Sequence, residues 1–406
     1  MLSRVGTFIS SSAATGEGRF LAATLLRNET DGLAIDFTDM SMAIKDTATP
    51  ANAFLGNANS KLTYSSPSTK WILGSNGLYS SGTTLRTEYS TSGVALGLRI
   101  EKQRTNVVPQ NRDMTNAVWT KTSVTAAKDQ TGIDGIANSA SSLTATAGNG
   151  TCLQAITLGS SARFQTAFVK RITGSGVVQM TMDNGTTWTA ITVTASWSRV
   201  EIPTQTLANP TVGFRIVTSG DAIAVDFVQN ENGTYATSPM EVAGTTGTTT
   251  TRVADNISIA TSLIPYVAQP GSFFAKYVLF GLDSTQVSSV ASLFADASNF
   301  VHMYANNTVG GRDFTASVAG ASQGFLSIAG AAVGTTVKQS AAWATNDAAH
   351  VINGSAPVTD ATFTLPTATS FRIGYQGAAE SLTGHLVQIM YRPRRVSNAD
   401  MQTETA

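Results

Sequence analysis

The stretch that decides the fold is VVQMTMDNGTTWTAITVT at residues 177–194. Two runs rich in Val, Ile, Thr and Trp, which favour β-strands, flank the tripeptide Asp183-Asn184-Gly185. An Asn-Gly pair between two such runs is the strongest short-range hairpin signal, because both central residues of the tight turn need a positive φ. The stretch therefore predicts two antiparallel strands that meet at residues 183–185.

Comparable short runs occur through much of the chain, and turn residues separate them. At intervals of about 8–12 residues, such turn signals are typical of β-sandwiches. Phe371, Ile373 and Tyr375 alternate with Arg372 and predict one more strand with a single apolar face. The other predicted strands are residues 33–37, 71–73, 94–96, 197–202, 212–217, 222–228, 337–344, 348–352 and 386–391.

Helical signals are confined to two places. Asp283 and Gln286 fit a capping box before apolar residues with helical spacing up to Phe294, whereas the Val and Ser content of that segment favours a strand. Both readings of residues 283–294 stay open. Ser397, with Asp400 three residues later, predicts the N-cap of a short C-terminal helix.

Composition excludes several classes of protein. The 406 residues include 26 Lys and Arg against 26 Asp and Glu, and 42% are hydrophobic. A disordered chain combines low hydrophobicity with high net charge, and a nucleic-acid binder needs an excess of basic residues, so neither class fits. Cys152 is the only cysteine, which excludes an intrachain disulfide and a thiolate zinc site. The longest apolar stretch, residues 273–282, contains Lys276 and is too short for membrane insertion.

The chain divides into three segments by composition. Residues 1–106 are irregular, with Ser, Gly and Asn clusters between short apolar pieces, and residues 107–253 are a succession of strand-like runs. Residues 254–406 repeat that pattern of runs. The low-complexity sequence GTTGTTTT at residues 244–251 is the predicted linker between the second and third segments.

Several motifs resemble segments of tailed-phage virion proteins. GLRIEKQRTN at residues 97–106 resembles the segment GLLIEEQRTN of spike and fibre proteins, where it precedes a jelly roll that is similar to carbohydrate-binding modules. FVQNENG at 227–233 and ATSPM at 236–240 resemble the end of that module. The last third is similar to laminin-G and concanavalin-A-like jelly rolls. Its resemblance is carried by AAWATND at 341–347, VING at 351–354 and GHLVQIMYRPRRVSNADMQ at 384–402.

This resemblance implies a particular all-β architecture and a place on a particle. Two jelly-roll β-sandwich domains, residues 107–253 and 254–406, would follow an irregular β-rich attachment region at residues 1–106. The attachment region would bind other virion proteins of the capsid or tail, and also sister subunits of a homo-oligomer, a trimer by analogy. The protein would be made in the host bacterial cytoplasm and would lie on the virion surface.

Three functional hypotheses follow from the resemblance. The first is a non-enzymatic head spike, head fibre or decoration protein that aids adhesion to host-surface glycans. The second is a tail fibre or tail-tip receptor-binding protein. The third is a glycan-degrading tailspike, which would need two carboxylates on either side of the glycosidic bond. The acidic residues are too scattered to nominate such a pair, and the prediction is that the chain is not an enzyme.

One motif formally matches a catalytic pattern. GASQG at residues 320–324 has the form of a nucleophile elbow around Ser322, and Asp360 and His385 follow in the order of an α/β-hydrolase triad. The elbow functions only on a strand-turn-helix of a parallel sheet, and this sequence shows no alternation of strands and helices. A chance match in a segment rich in Gly, Ala and Ser is the favoured interpretation.

Exposed aromatic rings are the candidates for sugar binding, since sugar C–H faces lie against them. The candidate ligand-binding residues are Trp119, Trp188, Tyr235 and Tyr375, each weighed against a role in core or subunit packing. Trp197 and Trp343 lie within predicted strands, which favours core positions.

No cofactor is predicted, and the sequence offers few metal ligands. The three histidines, His302, His350 and His385, have no metal-binding spacing, so buried hydrogen-bonded side chains are the favoured interpretation. A structural Ca²⁺ would draw on Asp313, Asp347 or Asp360 in predicted loops, although isolated Asp residues in turns usually cap the backbone. The basic cluster Arg392, Arg394 and Arg395 predicts a solvated or interdomain charged face, or alternatively a contact with a neighbouring subunit.

Overall fold

The computed structural model describes residues 21–65, 68–244, 246–282, 287–306, 310–377 and 380–406. Within these ranges the protein is all-β, as predicted, and its sheets are antiparallel. The two α-helices are short: α1 is Leu21–Leu25 and α2 is Asn398–Thr405. Single 3₁₀ turns are Pro50–Asn52, Ala58–Ser60 and Thr261–Leu263.

The strands fall into three groups along the chain. The first nine are β1 Gly32–Asp36, β2 Ser41–Lys45, β3 Phe54–Asn57, β4 Thr63–Tyr64, β5 Lys70–Leu73, β6 Tyr79–Gly82, β7 Thr87–Tyr89, β8 Ala95–Ile100 and β9 Arg104–Asn106. The next ten are β10 Thr120–Thr122, β11 Val124–Gln130, β12 Ala140–Ala145, β13 Gly150–Ala155, β14 Ser161–Thr173, β15 Val178–Thr181, β16 Thr189–Ile191, β17 Ser198–Leu207, β18 Thr211–Ile216 and β19 Ala222–Asn232. The last twelve are β20 Thr250–Arg252, β21 Ile257–Ala260, β22 Gly271–Leu279, β23 Ser288–Asp296, β24 Asn299–Ala305, β25 Gly311–Val318, β26 Ala321–Ala329, β27 Thr336–Ala344, β28 Asp347–Ile352, β29 Val358–Asp360, β30 Ser370–Ile373 and β31 Gly384–Arg392.

Strands β10–β19 form the small sandwich. Its two five-stranded sheets have the orders β10-β13-β18-β15-β16 and β11-β12-β19-β14-β17. The predicted hairpin is confirmed: β15 and β16 pair with Val178 opposite Ile191, and Asn184 and Gly185 have φ values of 60° and 76°. Alternate residues of both sheets, such as Phe214 and Val225, point into one apolar core.

The large sandwich combines strands from both ends of the chain. Its ten-stranded sheet has the order β29-β28-β27-β22-β31-β1-β2-β3, with β8 also paired to β31 and β7 paired to β8. Its seven-stranded sheet has the order β26-β25-β24-β23-β30-β21-β4. The core between these sheets includes the fully buried Phe273, Phe371 and Trp343, so the core position predicted for Trp343 is confirmed.

The first segment of the chain differs from the predicted division at residue 106. Strands β1 and β8 both pair with β31, at residues 388–391 and 384–386 respectively, and β4 pairs with β21. All five residues of β1 are buried, as expected of a strand inside a sheet rather than of a separate region. Residues 32–100 therefore supply strands to the large sandwich, and strand β31 has its second edge covered by them.

Several local predictions are settled by the strands. Residues 288–294 belong to β23, so the helical alternative is wrong there, while the proposed cap at Asp283 and Gln286 lies outside the described residues. The C-terminal helix is confirmed, because the Ser397 hydroxyl accepts a hydrogen bond from the Asp400 N–H at 3.1 Å. The predicted strand at 371–375 ends at Ile373, since Gly374 adopts a φ of 64°.

The end of the predicted linker at residues 244–251 belongs to a strand. Thr250–Arg252 forms strand β20, which pairs with β9 at Arg104–Asn106. The end of the motif GLRIEKQRTN therefore pairs with the exit from the small sandwich. This two-stranded ribbon lies where the chain passes between the two sandwiches.

The contact between β8 and β31 predicts a strong effect of one glycine. Gly97 has a φ of 106°, and a Cβ atom there would lie 2.5 Å from the backbone oxygen of Leu386, which cannot move aside without breaking the sheet. We expect Gly97→Ala to lower the free energy of unfolding by about 2–4 kcal/mol in urea titrations. Gly159→Ala is the matched control, since nothing lies within 4 Å of its added methyl group. Equal stability of the two variants would contradict this account.

Two buried histidines predict how stability depends on pH. Burial lowers the pKa of His302 and of His350 to about 3, from an ordinary value of 6.5. Between these values the unfolded chain binds protons that the folded chain excludes, so the free energy of unfolding falls as the pH falls. Each histidine contributes a slope of about 1.4 kcal/mol per pH unit.

The measurement is chemical unfolding at several pH values between 6 and 4, with the double variant His302→Gln/His350→Gln beside the unaltered chain. We expect the variant to lose stability less steeply on acidification, and each single variant to show about half of that difference. Parallel pH profiles for all four proteins would refute the assignment.

Candidate functional site

Two of the four predicted ligand-binding rings are buried, which corrects the prediction for them. Trp119 is 1% exposed in the core of the small sandwich, and its Nε1 donates to the Gln110 oxygen at 3.1 Å. Tyr235 is 7% exposed and packs on Gly281 of the large sandwich, where a Cβ atom would lie 1.9 Å from the ring. Both rings pack the fold because large apolar surfaces gain more from burial than from exposure.

Tyr375 lies just after β30 and is half-buried. The guanidinium of Arg372 lies between two rings, 5.6 Å from the centre of Tyr375 and 3.3 Å from that of Phe294. The Arg372 side chain also donates to the backbone oxygen of Gln376. This stack fixes the position of Tyr375 at the surface, and its role as a ligand contact stays a prediction.

Trp188 is half-buried on the outer face of the small sandwich, and it forms the best candidate site with Arg215 and Gln179. We call these three residues the tryptophan face. The Arg215 guanidinium lies 4.4 Å from the centre of the Trp188 ring, and its Nε donates to the Gln179 side-chain oxygen at 2.7 Å. Gln179 and Arg215 are opposite each other on β15 and β18, so their side chains leave the sheet together. Their neighbours along both strands, such as Met180 and Phe214, point into the core.

A rigid loop presents the Trp188 ring. The Gly185 N–H donates to the Thr181 hydroxyl oxygen at 3.0 Å, and the Thr187 N–H donates to the Asp183 carboxylate at 2.9 Å. Burial works to raise the pKa of Asp183, but its hydrogen bonds to Thr187 outweigh burial and hold the pKa below the ordinary value. Asp183 therefore stays charged and keeps the turn closed near neutral pH.

The tryptophan face has the chemistry of a sugar-binding surface. An indole offers an apolar ring surface for C–H groups, and the guanidinium and amide beside it donate and accept the hydrogen bonds that hydroxyl groups need. The arrangement is suited to contact with a polar ring.

Trp197 occupies a position between core and surface. It is half-buried beside Phe168 and Phe227, while its Nε1 donates to the Thr131 oxygen at 3.2 Å and Lys170 lies 4.9 Å from its ring centre. The predicted core position is therefore only partly correct, because one side of the ring packs under charged and polar groups.

The formal catalytic motif does not form a triad. Ser322 lies on β26, which pairs antiparallel to β25, and not on a strand-turn-helix. The His385 Nε2 is 2.6 Å from the Glu88 carboxylate, and the Asp360 carboxylate accepts from the Thr362 N–H at 2.7 Å. His385 and Asp360 therefore bond to other residues, and not to Ser322 or to each other.

The three aspartates considered for Ca²⁺ have different surroundings. Asp313 lies within β25 and not in a loop, which corrects its predicted location. Asp347 pairs with Arg395 at 2.9 Å, and Asp360 caps its own turn. Across the described ranges, three or more His, Cys, Asp or Glu side chains are nowhere placed to hold one metal ion together.

The basic cluster near the C-terminus is paired within the chain. Arg392 contacts Glu29 at 3.1 Å and Glu404 at 2.5 Å, and Arg394 contacts Glu29 at 2.7 Å. Glu29 follows α1, so these pairs join the two ends of the described chain. These pairs lie within the large sandwich, since β1 and β31 share one sheet, so they do not form the predicted interdomain face, and the contact with a neighbouring subunit stays a prediction.

A buried charge network that was not predicted from the sequence lies where the two sandwiches meet. Glu101 is fully buried, and its carboxylate contacts Arg99 at 2.9 Å and Arg252 at 3.3 Å, and accepts from the Ser238 N–H and hydroxyl at 2.6 and 2.7 Å. Burial works to raise the pKa of Glu101, but the charges of Arg252, Arg99 and Lys70 outweigh it and hold the pKa well below the ordinary value. The sequence signal was the run of charges in GLRIEKQRTN.

A second buried pair adjoins this network. Lys70 and Asp255 are 2.7 Å apart, and the same Asp255 oxygen accepts from the backbone N–H of Glu101 at 2.8 Å. The Tyr64 hydroxyl donates to the other Asp255 oxygen at 2.5 Å, and burial, followed by the Asp255 charge, raises the pKa of Tyr64. We call the set Lys70, Arg99, Glu101, Arg252 and Asp255 the junction network.

Comparisons with known proteins give limited information. No protein-family model matches the chain, and no curated protein matches it significantly. Among the solved structures, a heptameric SAP-like pentraxin from Limulus polyphemus is 15% identical with a TM-score of 0.28, covering 34% of this chain and 70% of that one. Domain 4 of the Geobacillus stearothermophilus arabinanase AbnA, in complex with arabinotriose, is 10% identical with a TM-score of 0.33, over 43% and 82%.

A third solved structure, Trypanosoma rangeli sialidase, is 13% identical with a TM-score of 0.30 and covers 37% of this chain and 26% of that one. At TM-scores this low, none of the three similarities assigns a family or a ligand to this chain. Among the described residues, neither helix has the length and apolar character that crossing a membrane requires.

Proposed function

We propose that this chain is a non-enzymatic surface protein of a tailed-phage virion, a head spike, head fibre or decoration protein, that aids adhesion to host-surface glycans. The tryptophan face carries the adhesion part of the proposal, because it combines a surface indole with a guanidinium and an amide on a rigid sheet. The virion part is supported by the resemblance of GLRIEKQRTN and the C-terminal motifs to phage spike and fibre segments.

Weak sites become effective when they are repeated. A closed homo-oligomer, with a trimer as the first candidate, would present several copies of the tryptophan face to one cell surface. Linked copies raise the overall affinity through effective concentration, without any new contact at each site. Other virion proteins would bind the protein through its first hundred residues.

The test of adhesion is binding of the full chain to purified host-surface polysaccharide, measured by biolayer interferometry. We expect Trp188→Ala to weaken binding at least about tenfold, because the loss of an aromatic ring at the centre of a site typically costs about 2 kcal/mol or more. Phe325→Ala is the matched control, since Phe325 is an aromatic ring that is 53% exposed on the large sandwich. Unchanged binding by Trp188→Ala would remove the tryptophan face from the proposal.

The same polysaccharide separates adhesion from degradation. New reducing ends during incubation, abolished by one carboxylate substitution, would replace the proposal with a glycan-degrading tailspike. Immunogold electron microscopy with antibodies against the small sandwich distinguishes the head location from a tail fibre or tail-tip protein.

A further inference from the structure

A cavity of about 270 Å³ lies at the meeting point of the two sandwiches. We call it the junction cavity. Three parts of the chain line it: Glu88 and Arg99 from the first segment, Arg199 from strand β17 of the small sandwich, and Phe280 and His385 from the large sandwich. Arg99 also belongs to the junction network, where it contacts Glu101. The cavity therefore exists only when both sandwiches are docked.

Arg199 brings a guanidinium to this cavity, and the charges of Glu231 and Glu101 act on it without direct contact. A guanidinium has five N–H donors, and here one Nη1 hydrogen goes to the Thr237 oxygen at 2.6 Å and one Nη2 hydrogen to the Thr166 hydroxyl at 2.9 Å. The Nε atom is buried without a hydrogen-bond partner. No carboxylate forms an ion pair with Arg199 in the part of the chain that the structure describes. Burial, followed by the charge of Arg99, lowers the pKa of Arg199.

The other charged groups of the cavity neutralise one another. The Glu88 carboxylate lies 3.0 Å from Arg99 and 2.6 Å from the His385 Nε2. Burial works to raise the pKa of Glu88, but Arg99 and His385 outweigh it, so the pKa lies below the ordinary value. Arg99 is also bound to Glu101 at 2.9 Å. Arg199 is thus the one guanidinium lining the cavity that forms no ion pair with a described residue.

The remaining walls suit a small ring that carries hydroxyl groups. Ser90 and Thr91 supply hydroxyls, Tyr79 and Tyr89 supply phenol rings, and Leu73 and Leu96 supply apolar surface. The volume is close to the lower end of ligand sites, at about 300 Å³, which leaves space for one monosaccharide residue. A neutral sugar would leave Arg199 unpaired, and desolvating an unpaired charge is unfavourable.

We propose that the junction cavity binds a carboxylate-bearing monosaccharide residue, an acidic sugar of the uronic or sialic type, with its carboxylate paired to Arg199. This site is separate from the tryptophan face and does not depend on it. An arginine–carboxylate pair in a partly buried site forms strong, charge-assisted hydrogen bonds. The acidic sugar supplies Arg199 with an ion pair that the described residues do not form with it.

The test is calorimetric titration of the full chain with glucuronate and N-acetylneuraminate, beside their neutral methyl esters. We expect the acids to bind at least about tenfold more tightly than the esters, and Arg199→Gln to abolish this preference. Arg27→Gln is the matched control, because it removes an exposed arginine that lies outside both the junction cavity and the tryptophan face. The acid preference therefore survives in Arg27→Gln. Equal affinity for acids and esters, or an unchanged acid preference in Arg199→Gln, overturns the proposal.

A second measurement covers the case in which Arg199→Gln does not fold. The imidazole resonances of His385 in the unaltered chain, identified by their loss in His385→Gln, report on the same cavity. We expect glucuronate or N-acetylneuraminate to shift these resonances and the methyl esters to leave them in place. If the His385 resonances shift with neither acid, the proposed site is wrong.

Discussion

The Glu101 carboxylate is an ion inside the protein, and the relation between the two sandwiches depends on the groups that neutralise it. Moving such a charge out of water costs several kcal/mol, which only close opposite charges and hydrogen bonds offset. Arg99 comes from β8, Arg252 from β20 and Ser238 from the exit of the small sandwich. Because β8 also pairs with β31 and β20 pairs with β9, one buried charge links the large sandwich, the connecting ribbon and the small sandwich.

The need to neutralise the buried Glu101 carboxylate connects several features of the fold. Residues 32–100 contribute strands to the large sandwich, so the partners of Glu101 come together only when this segment and strand β31 have joined the ten-stranded sheet. Tyr235 packs on Gly281 at the same junction, and the junction cavity has walls from all three segments. A fixed junction of this kind keeps the cavity in one shape.

The sequence predicted the local structure and missed what depends on contacts between distant residues. The hairpin around Asn184-Gly185, the helix cap at Ser397 and the core position of Trp343 follow from short patterns with a local physical cause, and all three are confirmed. The pairing of β1 with β31 joins residues more than 350 positions apart, and no local pattern encodes it. Trp119 and Tyr235 were nominated because aromatic rings bind sugars, but the same apolar surface also favours burial. No sequence pattern distinguishes Arg199, because the role of a single arginine in a strand depends on which side chains the fold places around it.

The most direct test of the account is differential scanning calorimetry of the full chain beside Glu101→Gln. Glutamine keeps the shape of the side chain but leaves Arg99 and Arg252 without their shared counter-charge. Breaking a buried pair in this way typically costs about 3–5 kcal/mol. The account predicts that the variant unfolds at a clearly lower temperature, with the small and large sandwiches melting in separate transitions. A variant that melts at the same temperature and with the same profile as the unaltered chain would show that Glu101 does not hold the two sandwiches together.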